Sequence, residues 1–279
     1  MFIILILDVT RRQALKTMNK SFCPPAENTL LAALSPATAA ELIAQAERIA
    51  LKDGEVLYRP AQPGRYVFFP SSALVSLEFH GGDGAMAELA VVGSDGLVGV
   101  PALLGARPTH HAIVQSSGAA LRMRVEVLKR RARDDPAVRE IVDSYTHQLL
   151  GQVAQTSACK SLHPLLNRLC RWLLVSADRL DTVEVRVTQD QLARLLGVRR
   201  ESVNHATSLL QSSGCLRIGR GHMHIVDAAR LEESACECLG LIRDAHAGQP
   251  MPVPALSLFW PQPKAESRGD SRDRQIRDM

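Results

Sequence analysis

From Ala50 to Met123 the apolar residues come in short runs separated by turn residues. The runs are Val56–Tyr58, Tyr66–Phe69, Ala73–Phe79, Met86–Val92, Val98–Val100, Ala112–Gln115 and Ala119–Met123. The breaks are Lys52-Asp53-Gly54, Gln62-Pro63-Gly64, His80–Gly84 and Gly93–Gly96. Gly, Pro and Asp are concentrated there because they supply the left-handed or preset backbone that tight turns require. Short strands at this spacing predict a sandwich or barrel. Ahead of them, Ser35 is a helix cap and Pro36 a first helical residue, which predicts a helix over Ala37–Arg48.

The period then changes. Asp134-Asp135-Pro136 has the acidic residues and the proline of a helix start, and a helix is expected from about Ala137 to Ala158. Val142, Tyr145, Leu149, Gln152, Thr156 and Cys159 follow at alternating steps of three and four, with Val138 and Ile141 beside them. That is the seam spacing of a two-stranded coiled coil, and it predicts that this helix pairs with its copy in a homodimer. Pro164 disfavours helical geometry at His163, so Ser161–Pro164 is a natural hinge. Leu165, Leu166, Leu169, Trp172, Leu173 and Leu174 form the apolar face of the next helix.

Two short helices around a tight turn are expected between Thr188 and Leu210. Thr188 is a good N-cap, Leu192, Leu195 and Leu196 share one face, and Gly197 can end the first helix in the left-handed conformation. The second helix starts near Arg199 and buries Val203, Ala206, Leu209 and Leu210. Its outer N-terminal positions are Arg199, Arg200, Glu201, Ser202, Asn204 and His205. These are donors for guanine edges, an acceptor for cytosine and small groups for phosphates. Cys215–Ile218 and His222–Val226 alternate around Gly219-Arg220-Gly221, a hairpin pattern, so the whole reads as a winged helix-turn-helix. From Thr188 to Val226 there are five Lys/Arg and two Asp/Glu, a local cationic excess. The candidate DNA contacts are Thr188, Gln189, Asp190, Arg199, Arg200, Glu201, Ser202, Asn204 and His205, with Arg220 and His222 on the wing.

Arg200-Glu201-Ser202-Val203-Asn204-His205 resembles the opening of the recognition helix in Crp/Fnr-type transcription regulators, relatives of the cyclic-AMP receptor protein. The resemblance implies base reading by Arg200 and Glu201; His205 stands where the family has a second arginine. It also implies an α+β fold: an N-terminal double-stranded β-helix (jelly roll), a long dimerisation helix and a C-terminal winged helix-turn-helix. The expected divisions are an extension at 1–28, the roll at 29–130, the long helix at 134–160, the DNA-binding domain at 161–232 and a disordered tail at 245–279. Cyclic-AMP-binding members carry a Gly-Glu pair and an Arg that take ribose and phosphate. Here Val100 replaces the Glu, His110 replaces the Arg, and Pro101 lacks an N–H. Val98, Gly99, Val100, His110 and His111 are thus the candidate effector pocket, and binding of a cyclic nucleotide is not expected. Segments 155–164, 168–174, 197–200 and 235–238 resemble one subgroup of the family that generally lacks these residues.

Net charge is +4 with 33 Lys/Arg and 29 Asp/Glu, compatible with nucleic acid without pointing to it. Six cysteines show no disulfide-framework spacing. Cys236 and Cys238 are one residue apart, unlike common zinc motifs, and read as structural; His110 and His111 should point to opposite faces of a strand. The N-terminal third has only Cys23, which argues against the family's iron–sulfur cluster. Phe2–Leu7 is too short to span a bilayer, and the basic residues follow it, the wrong order for a secretory signal. The expectation is a cytoplasmic chain with no membrane partner. No nucleophile–base set, metal set or phosphate loop is legible, so no cofactor and no enzyme activity are expected. Double-stranded DNA and a second copy are the expected partners, with RNA polymerase and an unknown small-molecule effector as further candidates. A second reading makes the chain a small-molecule-sensing regulatory subunit whose winged helix binds protein.

Overall fold

The computed structural model describes residues 28–246 apart from Asp83. The expected extension and nearly all of the expected tail therefore lie outside the described residues. The elements in order are α1 (Thr29–Ala32), α2 (Pro36–Ala44), β1 (Glu47–Leu51), β2 (Val56–Tyr58), β3 (Tyr66–Pro70), β4 (Leu74–His80), β5 (Met86–Val92), α3 (Val100–Leu103), β6 (His111–Ser116) and β7 (Gly118–Arg124). Then come α4 (Val125–Asp134), α5 (Pro136–Leu162), α6 (Leu165–Leu180), β8 (Glu184–Val185), α7 (Gln189–Leu196), α8 (Arg200–Ser212), β9 (Leu216–Gly219), β10 (His222–Ile225), α9 (Ala228–Glu233) and α10 (Cys238–His246).

Two antiparallel sheets, ordered β1-β7-β3 and β2-β6-β4-β5, make the roll. Leu51, Phe68, Val75, Leu77, Val92, Val114 and Ala120 fill the space between them. Ser35 Oγ caps α2 by accepting from the Thr38 N–H, with Pro36 in the first turn, and the helix stops at Ala44. The expected helical run to Arg48 is therefore too long. Glu47–Leu51 is instead β1, extended by its antiparallel pairing with β7. The expected strand Val98–Val100 is also corrected. Only Val98 forms a bridge, to Phe68, and Gly99 (φ 116°) turns the chain into α3. The short helices α4, α9 and α10 and the strand β8 had no counterpart in the sequence pattern.

The long helix runs further than expected, from Pro136 to Leu162, with Asp135 capping its first turn. At about 1.5 Å per residue it is about 40 Å long. Its coiled-coil spacing is present, but the seam faces inward. Val138, Val142, Tyr145, Gln152 and Thr156 are all buried within one chain. Ile141 and Leu149 are half-buried, and Leu149 packs on the roll core. The spacing marks an apolar stripe without saying what covers it, and here the chain's own roll does. Gln152 shows this directly: its Nε2 donates to the Val91 carbonyl at 3.2 Å.

The C-terminal half shares its core with the roll. Leu74 and Val91 belong to the same cluster as Leu169, Trp172, Leu173, Leu192, Leu196, Val203 and Met223. Trp172 Nε1 donates to both Glu88 carboxylate oxygens (2.9 and 3.0 Å), and Ser76 Oγ donates to the same carboxylate at 3.2 Å. Arg179 on α6 pairs with Asp95 at 2.9 Å and accepts a hydrogen bond from Ser94 Oγ on its carbonyl at 3.0 Å. Burial pushes the Glu88 carboxyl above its ordinary value of 4.5, against the opposing pull of Trp172, Arg171 and Lys160. A raised folded-state pKa adds stability below the unfolded value and loses it as pH rises through the folded value. Glu88→Gln should remove that dependence. Thermal midpoints of the two proteins should diverge as pH rises from about 4.5, with the wild type falling relative to the variant; parallel curves would show that Glu88 does not titrate in the folded chain.

Candidate nucleic-acid interface

The helix pair begins with a capping box. Thr188 Oγ1 accepts from the Gln191 N–H at 3.1 Å, and Gln191 Oε1 accepts from the Thr188 N–H at 2.8 Å. Two N–H groups that helix geometry leaves unpaired are thereby satisfied. Leu192, Ala193, Leu195 and Leu196 are buried, and Gly197 (φ 66°) ends α7 in the left-handed conformation. The Val198 N–H returns to the Ala193 carbonyl at 2.9 Å, closing the turn into α8. Val203, Ala206, Thr207 and Leu210 face the core. Leu209, expected there, is 47% exposed.

Arg199, Arg200, Glu201, Ser202, Asn204 and His205 are all exposed at the N-terminal end of α8. Gln189 Nε2 donates to Asn204 Oδ1 (3.3 Å) and Thr207 Oγ1 (3.1 Å), tying the two helices together. Asp190 pairs with Arg194 at 2.8 Å, so its charge is locally compensated. On the wing, β10 pairs with β9 on one side and β8 on the other. Gly221 takes φ 74°, which places the Arg220-Gly221 turn beside Thr188: a Cβ there would lie 3.9 Å from the Thr188 methyl. Wing tip, α7 start and α8 start thus form one surface, with Arg199, Arg200 and Arg220 as its cations. A shallow groove beside it is lined by Leu165, Leu166, Ala206 and Leu209 next to Glu201, Ser202 and His205.

The expected effector residues separate. Gly99, Pro101 and Ala102 line a pocket of about 170 Å³ with Tyr58, Gln62, Gly64, Arg65, Tyr66 and Phe68. Val98 and Val100 are buried, and neither is on the pocket wall. His110 bonds the wall from behind, its Nε2 2.8 Å from Tyr58 Oη. Burial, then the neighbouring His111, pulls the His110 pKa down, so it is neutral near pH 7. His111 points elsewhere and stacks on His80 at 4.3 Å.

A cluster that the sequence did not reveal lies at the hinge. Cys159 and His163, one turn apart at the end of α5, meet Cys236 and Cys238 at the start of α10, with all four ligand atoms within 4.8 Å of one another. Each pair is local, at i, i+4 and i, i+2, but the two pairs are more than 70 residues apart, so spacing alone gave no signal.

Residues 167–234 match the Crp-like helix-turn-helix domain. The CRP-like cAMP-activated global transcriptional regulator of Mycobacterium tuberculosis is 24% identical over 210 residues, which cover 72% of this chain and 94% of that protein. The transcriptional regulator SdrP of Thermus thermophilus is 26% identical over 197 residues, covering 68% and 94%. The chain is thus similar to Crp/Fnr-type regulators over about 70% of its length, with a Crp-like helix-turn-helix domain at residues 167–234. Its α+β fold is also that of FixK2 from Bradyrhizobium japonicum (TM-score 0.58, 18% identity, covering 68% of this chain and 98% of that one). The c-di-GMP-responsive global regulator CLP of Xanthomonas campestris is equally close in fold (TM-score 0.57, 18% identity, covering 69% and 100%). The two curated relatives named here are transcriptional regulators, and what this chain shares with them includes a Crp-like helix-turn-helix domain. Among the described residues no helix is long and apolar enough to cross a membrane.

Thr188→Ala should cost about 1 kcal/mol of stability in chemical denaturation, because the box loses its hydroxyl. Thr188→Ser should restore it. An alanine variant as stable as the wild type would show that the cap is dispensable in this context.

Proposed function

We propose that the chain is a homodimer that reads a two-fold DNA operator with α8 in the major groove. The observation that carries this reading is the exposed, cation-bearing start of α8, set on the same surface as the wing tip and the capped start of α7. In the helix-turn-helix arrangement that end of the second helix meets base edges, and half-sites lie about 34 Å apart. Arg200 would read guanine and Glu201 would accept from cytosine. Thr188, Arg199 and Ser202 would hold phosphates, with Gln189 and Asp190 beside them at the start of α7; Arg220 and His222 would add backbone contacts from the wing, and Asn204 and His205 would adjust sequence choice.

The dimer face differs from the one expected. With the seam of α5 covered by the roll, the residues left exposed include His147, Leu150, Gly151, Ala154, Ala158, Ser161 and Leu162. Gly151, Ala154, Ala158 and Ser161 or Leu162 recur at steps of three, four and three or four, and Leu150 is 67% exposed. Small residues there permit close approach of two helices, and Leu150 and Leu162 give apolar area to bury. This face supports the two-fold pairing that a palindromic operator requires.

The roll is proposed not to respond to cyclic AMP. Val100 and a neutral His110 occupy the two charged contact positions, Pro101 has no N–H to offer, and about 170 Å³ is below the ordinary ligand-pocket range of roughly 300–1,000 Å³. A different, smaller effector in the pocket, a contact with RNA polymerase and a cytoplasmic location complete the proposal. The apolar groove beside Glu201 and His205 favours a second reading, in which the winged helix docks protein.

Selection from random DNA by the purified chain should enrich a two-fold motif, unchanged by cyclic AMP. Arg200→Ala should weaken that site by about 1–3 kcal/mol and relax one position. Intact binding by this variant would transfer support to the protein-docking reading. Leu150→Glu should convert the dimer to a monomer in sedimentation; a variant that remains dimeric would place the pairing face elsewhere.

A further inference from the structure

We infer that Cys159, His163, Cys236 and Cys238 bind a single thiolate-preferring divalent ion of the zinc type across the hinge. The donor set is three thiols and one imidazole, a set that closes a tetrahedral structural site. Metal–sulfur and metal–nitrogen bonds of about 2.3 and 2.0 Å imply tetrahedral edges of roughly 3.5–3.8 Å. Cys159 Sγ lies 3.5 Å from Cys236 Sγ, and His163 Nδ1 lies 3.4 Å from Cys238 Sγ. The widest separation in the set, within 4.8 Å, closes with side-chain movement of about an ångström.

The surroundings fit an ion better than a patch of buried thiols. His163 Nε2 is held by Glu237 Oε1 at 3.0 Å, which directs Nδ1 at the three sulfurs. A carboxylate on the far nitrogen is the usual partner of a metal-bound histidine, because it fixes tautomer and orientation. Gln155 Nε2 donates to Cys238 Sγ at 2.9 Å, a hydrogen bond that stabilises a thiolate. Thiol packing alone would require neither. Three thiolates and one neutral imidazole around a divalent ion carry one negative charge. Arg171, 4% exposed, lies close enough to act electrostatically on Cys159, and its Nε has no hydrogen-bond partner among the described residues. That cation, which also faces Glu88, favours a negatively charged site beside it.

Position gives the site its consequence. Cys159 and His163 end α5 immediately before Pro164, where the chain turns into the DNA-binding half. Cys236 and Cys238 follow that half, Cys238 as the first residue of α10 and Cys236 just before it. The ion would fasten the exit of the DNA-binding half to the helix that enters it. Binding exchanges three thiol protons for one ion, with no change of oxidation state.

The test is elemental analysis of the full chain purified under reducing conditions without chelator. About one zinc per chain is expected, and cobalt exchanged into the site should give thiolate-to-metal charge-transfer absorption with the visible bands of a tetrahedral ion. Cys238→Ser and His163→Gln should lose the metal, and Glu237→Gln should keep it with roughly 10–100-fold weaker affinity. Cys215→Ala, outside the set, should bind as the wild type does. Protein free of metal whose thiols leave the spectrum of added cobalt unchanged overturns the assignment. So does iron with the broad absorption of a cluster, and so does a Cys159–Cys236 disulfide in freshly reduced protein.

Discussion

Glu88 holds the two halves of the chain in register. A carboxylate on a roll strand, almost wholly removed from water, receives both its bonds to the far half from one indole N–H on α6. Such a group is costly to bury without donors, so the arrangement tolerates little displacement of Trp172. Arg179 repeats the device at the other end of α6, bridging Asp95 in a roll turn and Gln152 on α5. Between these polar ends Leu74 and Val91 enter the core of the helix-turn-helix half. The recognition surface is positioned from beneath by the roll, through α6 and α7, rather than hung from the hinge alone.

What the sequence made legible was local. Turn residues outlined most of the strands, Thr188 and Gly197 bracketed α7, and Gly219–Gly221 placed the wing hairpin, because each of these signals acts within a few residues. What it did not show depended on distant partners. Glu47-Arg48-Ile49-Ala50-Leu51 contains good helix formers and continues a helical pattern, yet it is a strand because β7 is there to pair with it. Val142, Tyr145 and Thr156 had the spacing of an intermolecular seam, and only the position of the roll shows that their own chain covers them. The four hinge donors come from two segments that no spacing rule connects.

The candidate pocket and the candidate DNA surface are joined by few intermediates. β3 and α3 border the pocket, Phe68 reaches the roll core, and β5 in the same roll carries Glu88 and Val91 to α6 and α7. A ligand that moved α3 would have only the thickness of the roll to act through. The carriers are packed side chains with buried polar ties, which move as discrete repackings rather than by gradual bending.

The shared core also governs how the chain comes apart. Were the C-terminal half separated from the roll, Trp172 would lose the acceptor for its N–H, and Leu169, Leu173 and Leu192 would lose part of the surface that covers them. Neither half is complete without the other, so folding is a joint event and unfolding should be cooperative across the hinge. Selection on the stability of the roll is then also selection on the helix-turn-helix half. A substitution deep in the roll, far from α8, can change how much of the protein carries an intact helix-turn-helix surface.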